Sequence, residues 1–137
     1  MSRILLDTSA YTAYIGGHPD LQEPVRHASM VHLSLVAVGE LLAGFLKGGR
    51  RRQNETRRRE FAAEPRIRVL RLDDETAVRY AVIRDYLRRQ GTPVPVNDVW
   101  IAATAAQHGL RLLTLDSHFL QIPQVIVDFI EPARPER

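Results

Sequence analysis

Two short, almost wholly apolar runs in this chain each end in an aspartate: Ile4-Leu5-Leu6 meets Asp7, and Leu112-Leu113-Thr114-Leu115 meets Asp116. A strand that is apolar on both faces has no solvent side. It belongs inside a parallel sheet covered by helices on both faces, which narrows the fold to strands alternating with helices. In open parallel sheets, ligands bind in the crevice beyond the carboxyl ends of the strands, where both aspartates stand. Each could equally cap the helix that follows, since Asp is a preferred N-cap. Taken singly, capping is the better account of each; taken together on two buried strands, the pair points to a site.

The rest of the chain fits that alternation. The pattern predicts a strand at Ile4–Leu6, a helix over Thr8–Ile15 broken by Gly16-Gly17, and a second helix from His18-Pro19-Asp20 to about Ala28. Val31–Leu33 reads as a strand, with Ser34 as the N-cap of a helix from Leu35 to about Lys47. An arginine-rich helix over Arg50–Glu64 stops at Pro65. Ile67–Leu72 alternates as a strand, and Asp73-Asp74-Glu75 opens a long helix that Gly91 ends. After the stiff segment Thr92–Val96, Asn97 or Asp98 caps a helix running to His108-Gly109. Leu112–Leu115, a helical turn around His118–Leu120, a strand at Val125–Val127 and a tail from Pro132 complete the reading. The expected architecture is an α/β sandwich around a central, mostly parallel sheet.

At 137 residues the chain is expected to form one domain with a real core. Cysteine is absent, which excludes disulfides and thiolate metal sites and suits a reducing cytoplasm. No apolar run approaches the ~20 residues of a membrane span, and the first is too short for a signal peptide, so the expectation is a soluble, cytoplasmic protein with no membrane partner. No glycine-rich phosphate loop is present, the histidines lack a zinc-ligand spacing, and the serines lack a nucleophile-elbow context. His118, beside a helix start, reads as structural, with pairing to an acid as the alternative. The net charge is +3, but seven basic residues crowd Lys47–Glu60 against Glu55 and Glu60. Such a patch attracts phosphate backbones; a solvated helix face laced with Arg51/Glu55 and Glu55/Arg59 pairs accounts for it equally well.

Two further acids sit in unusual places. Asp98 shares a helical stripe with Ile101, Ala102 and Ala105, a core-facing pattern. Glu40 interrupts an apolar helix, and its helical neighbours Val36, Ala37, Ala43 and Gly44 are mostly small, which leaves room for a ligand beside it. Periodicity alone favours Glu40 on the solvent side. Carboxylates gathered from distant segments do not cluster at neutral pH without a neutralising partner, so Asp7, Glu40, Asp98 and Asp116 together suggest a hard divalent cation and phosphodiester hydrolysis.

The segments ILLDTSAYTAYI, SLVAVGELLAG, NDVWIAATAAQHGLRLLTLD and FLQIPQVIV follow one another in an order and spacing that span nearly the whole chain. On these segments the chain resembles a PIN-domain ribonuclease of the VapC toxin type. The resemblance implies a PIN-like α/β/α nuclease domain over residues 1–131, with 132–137 as a tail. It implies that Asp7, Glu40, Asp98 and Asp116 are the catalytic, metal-binding set for Mg²⁺ or Mn²⁺, with Asp7, Asp98 and Asp116 as principal ligands and Glu40 bound directly or through water. Thr8 and Thr114 match small polar positions supporting those acids. His118 departs from the family pattern, standing where some relatives carry a further acid or Asn. Metal-assisted hydrolysis of RNA, a homodimeric state and a small antitoxin partner follow from the same resemblance. Arg50, Arg51, Arg52, Arg57, Arg58 and Arg59 are then expected to contact RNA or the antitoxin. A catalytically silent RNA- or partner-binding domain of the same fold, and a DNA-directed nuclease, are the alternatives.

Overall fold

The computed structural model describes residues 2–133; most of the expected tail lies outside them. Five strands form one sheet: β1 (Arg3–Leu6), β2 (Met30–Ser34), β3 (Ile67–Leu70), β4 (Arg111–Thr114) and β5 (Val127–Phe129). Their order is β3-β2-β1-β4-β5, and every neighbouring pair is parallel. The chain winds outward from β1 to β3, then returns to β1's other side with β4. The strand order therefore reverses between β1 and β4, which opens a crevice at their carboxyl ends.

The alternation of side chains along β1 divides the core in two. Ile4 and Leu6 join Val31, Leu33 and Leu113 on one face, covered by α1 (Thr8–Ile15), α2 (Pro19–His27) and α4 (Arg51–Ala62) through Tyr11, Leu21, Val25 and Phe61. Leu5 and Leu112 face the other way, against α5 (Asp74–Gln90) and α6 (Val96–His108) through Ile83, Leu87, Ile101 and Ala105. The helix α3 (Leu35–Lys47) serves both layers, placing Ala37 in one and Val38 and Leu41 in the other. A 3₁₀ turn at Ser117–Gln121 follows β4 and is pinned by Phe119, which is fully buried. Among the described residues no helix is long and apolar enough to cross a membrane.

Most element ends match their local chemistry. Asp73 and Thr76 form a reciprocal capping box at the start of α5, and Gly91 closes that helix at φ 69°. Three expectations need correction. The last strand begins at Val127, two residues later than the apolar run Val125–Val127 suggests, because Val125 packs into the core from the preceding turn while Ile126 points outward. The third strand ends at Leu70. Helix α6 starts at Val96 after Pro95, so neither Asn97 nor Asp98 caps it; both lie within its first turn.

Candidate active site

The four singled-out carboxylates come from four elements. Asp7 follows β1, Glu40 lies midway along α3, Asp98 sits in the first turn of α6, and Asp116 follows β4. All four line one cleft of about 510 Å³, together with Thr8, Ser9, Thr12, Ala13 and Leu115. A larger open depression of about 640 Å³, beside Arg84, Arg88 and the 91–94 loop, gathers no such set and lies on another part of the surface.

Asp7 is the most buried member, at 3% exposure. Its carboxylate caps α1 by accepting from Ala10 N at 2.8 Å, so the capping role and the cleft position coexist. Ser9 Oγ donates to both carboxylate oxygens, at 2.7 and 2.9 Å, and Thr114 Oγ1 donates to Oδ2 at 2.6 Å. Burial pushes the Asp7 carboxyl above its usual pKa, and these donors pull against it. The Thr114 hydroxyl also accepts from Asp116 N at 2.9 Å, which ties the two strand-end acids to one side chain. Ser9 Oγ accepts in turn from Leu115 N at 3.0 Å, adding a second tie between the segments.

Glu40 is partly buried and does not simply face solvent. Thr8 Oγ1 donates to its Oε1 at 2.6 Å, and Asn97 Nδ2 donates to its Oε2 at 3.3 Å. Asp98 has a side chain only 13% exposed. Burial first, then the charges of Asp116, Glu40 and Asp7, raise its pKa to about 7. Among the described residues no lysine or arginine pairs with any of these four acids. The basic group in contact with them is His118, whose Nδ1 lies 2.9 Å from Asp116 Oδ1 and 3.7 Å from Asp98 Oδ2. A set of half-buried carboxylates with so little cationic compensation fits a divalent ion.

The structure also brings in residues that sequence reasoning passed over. In sequence Asn97 reads only as a helix cap and Ser9 only as a serine outside a nucleophile elbow, although Ser9 lies two positions after Asp7 and its hydroxyl can reach back to that carboxylate. Asn97 meets Glu40 only through the tertiary fold. The arginines do not enter the cleft. Arg50, Arg51, Arg52 and Arg57 line a separate depression of about 590 Å³ on α4, and Arg59 is exposed beside them. Arg58 is partly buried near Tyr11, and only Arg51 forms the expected pair with Glu55, at 3.3 Å.

Thr114 carries a direct test of this geometry. Thr114→Val conserves volume but leaves an Asp7 oxygen and the Asp116 amide without their shared partner. We expect a loss of about 2 kcal/mol in urea unfolding at pH 8. At pH 4 the loss should be smaller, because the hydroxyl favours the charged form of Asp7. Equal losses at both pH values would show that the hydroxyl does not support the carboxylate.

Comparison with known proteins agrees with this architecture. The PIN domain family matches residues 4–125. Ribonuclease VapC4 of Mycobacterium tuberculosis is 33% identical over 126 residues, covering 91% of this chain and 95% of that protein. A chain of the DNA-bound VapBC crystal structure from Salmonella typhimurium superposes with a TM-score of 0.83 at 29% identity, covering 94% of this chain and 98% of that one. A chain of VapBC-5 from Mycobacterium tuberculosis, a member of the VapBC family of toxin-antitoxin systems, gives 0.74 at 28% identity, covering 96% and 100%. The parallel sheet, the acids at its crevice and these relatives lead to one assignment: the chain is a PIN domain and belongs to the VapC family.

Proposed function

We propose that this chain, as one nuclease domain over residues 1–131, is a metal-dependent endoribonuclease and the toxin of a toxin–antitoxin pair. The carrying observation is the convergence of four carboxylates at the β1/β4 crevice, without a lysine or arginine partner among the described residues. Kinship with proteins named ribonucleases supports RNA as the substrate. Solved relatives in VapBC complexes support an antitoxin partner. A homodimer working in the cytoplasm completes the proposal.

Asp7, Asp98 and Asp116 would hold Mg²⁺ or Mn²⁺, with Glu40 ligating directly or through water. A bound divalent ion acidifies its water and offsets charge on the phosphoryl group and leaving oxygen. The chain's own residues supply the rest. Ser9, Thr114 and the Ala10 amide fix the orientation of Asp7, and Thr8 and Asn97 fix Glu40. No side-chain nucleophile is required, and the hydroxyl of Ser9 is already engaged with Asp7 and Leu115 N.

The deciding experiment incubates the purified protein, freed of any bound inhibitor, with a mixed RNA pool and a matched DNA pool. It is run with Mg²⁺, with Mn²⁺ and with chelator. RNA cutting that chelator abolishes is the expected result; cutting of DNA alone, or of neither pool, overturns the proposal. The α4 arginines, in their separate depression, are proposed to hold the RNA backbone outside the cleft. Reversing charge at Arg50, Arg51 and Arg52 should weaken RNA binding and reduce its salt slope by about 2 to 3. An unchanged slope would assign the segment no RNA contact.

A further inference from the structure

The proposed metal set consists only of carboxylates, yet an imidazole stands in direct contact with Asp116. His118 Nδ1 lies 2.9 Å from Asp116 Oδ1 and 3.7 Å from Asp98 Oδ2. One atom from each of Asp98, Asp116 and His118 falls within 4.8 Å of the others. Donors about 2.1 Å from a common ion sit about 3 Å apart on adjacent octahedral positions and about 4.2 Å apart on opposite ones. His118, at 2.9 and 3.7 Å from the two acids, is therefore within reach of an ion that they hold.

The backbone accounts for the placement. His118 belongs to the 3₁₀ turn that Asp116 caps, with its own amide donating to Asp116 Oδ1 at 2.9 Å. Phe119, buried in the core, anchors the turn immediately afterwards. Ring and carboxylate therefore share one short, anchored segment. The imidazole is half exposed at the rim of the cleft, where it meets both the acids and solvent.

We propose that His118 is a nitrogen ligand to the ion held by Asp98 and Asp116, and that it biases the site toward divalent transition ions such as Mn²⁺ over Mg²⁺. This rests on the metal-dependent reading of the cleft and names the ion class that the cleft prefers. Carboxylate and water suit both Mg²⁺ and Mn²⁺, but of the two only Mn²⁺, a transition ion, also readily accepts an imidazole nitrogen. Exchanging one oxygen donor for a ring nitrogen shifts the balance without changing the charge contributed by the acids. His118 thereby sets the ion preference of this particular chain within a shared acidic framework.

Pulsed electron paramagnetic resonance of the Mn²⁺-loaded protein tests this independently of turnover. Wild type should show ¹⁴N coupling to bound Mn²⁺, and His118→Gln should lose it while still binding Mn²⁺ about tenfold more weakly. In calorimetric titrations, His118→Asp should lower the ratio of Mn²⁺ to Mg²⁺ affinity by about tenfold. The exposed position of His118 means that both variants should fold, which circular dichroism checks. Bound Mn²⁺ without nitrogen coupling in wild type, or coupling that survives in His118→Gln, overturns the ligand role and leaves the acidic site standing. Failure of folded wild type to bind any divalent ion, with Asp7→Asn behaving identically, overturns the metal site and the ligand role together.

Discussion

Asp98→Asn should sharply reduce RNA cleavage and, in chelator at pH 8, make the protein more stable than wild type. The two effects share a cause. Asp98 is drawn into the cleft against burial and three neighbouring carboxylates, which raise its pKa from 3.8 to about 7. In the unfolded chain the same group ionises at its ordinary value. Between those limits the native state holds more protons than the unfolded state, so stability falls as pH rises from about 4 to about 7. Above pH 7 the native protein carries the full cost of the charged group. A shift of this size corresponds to at most about 4 kcal/mol. Solvent at the open cleft reduces it to about 2 kcal/mol, or a rise of roughly 5 to 10 °C in Tm.

Asparagine keeps the shape and removes the charge. The variant should match wild type near pH 4, exceed it at pH 8 in chelator, and lose that advantage when Mn²⁺ is added, because the ion stabilises only a competent site. Cleavage should fall by about 10³-fold or more, the scale on which a central catalytic group acts. Thermal unfolding across pH, with and without metal, checks the stability half. An Asp98→Asn protein no more stable than wild type at pH 8 in chelator would show that the acids do not strain one another.

The second large effect concerns Phe119→Ala. The Phe119 ring is fully buried in the core layer that holds Leu5, Ala102 and Leu112. Truncating a buried phenylalanine costs about 3 to 5 kcal/mol, through lost burial and the cavity left behind. Phe119 also anchors the turn carrying Asp116 and His118. Urea unfolding should show a lower midpoint with an unchanged slope. Metal affinity should fall even under conditions where the variant is fully folded, and Phe119→Leu should recover part of both losses. A variant that is destabilised yet binds metal normally would show that the turn holds its place without the ring.

Much of this arrangement was legible in residue order because strong local rules acted where the site needed them. Uniformly apolar strands, glycine stops and Ser34 at a helix start mark β1, α1, α3 and β4 almost to the residue. At Asp7 the choice between cap and site was never exclusive: one carboxylate does both, with its oxygens divided between Ala10 N and side-chain hydroxyls. Asp98 was harder. Its capping reading fails because Pro95 precedes the helix and starts it one residue before Asn97, a boundary that propensity does not resolve. Glu40 was harder still. Periodicity along α3 compares Glu40 only with its own helix, whereas its surroundings are set by Thr8 and Asn97 from elements far away in the chain. In sequence Asn97 reads only as a helix cap for the same reason: its contact with Glu40 exists only through what the fold brings to it.

The order of strands in the sheet has a consequence for how such a protein is made. Asp7 and Glu40 are synthesised early, and the β1–β2–β3 half of the sheet can pair before the remainder exists. Asp98 and Asp116 arrive late, and β4 must insert beside β1 before the crevice closes. During synthesis, then, the emerging polypeptide carries only half of the acidic set until α6 and β4 have been made. A cleft built across this seam joins early-made and late-made chain, and it cannot be complete before β4 is in place.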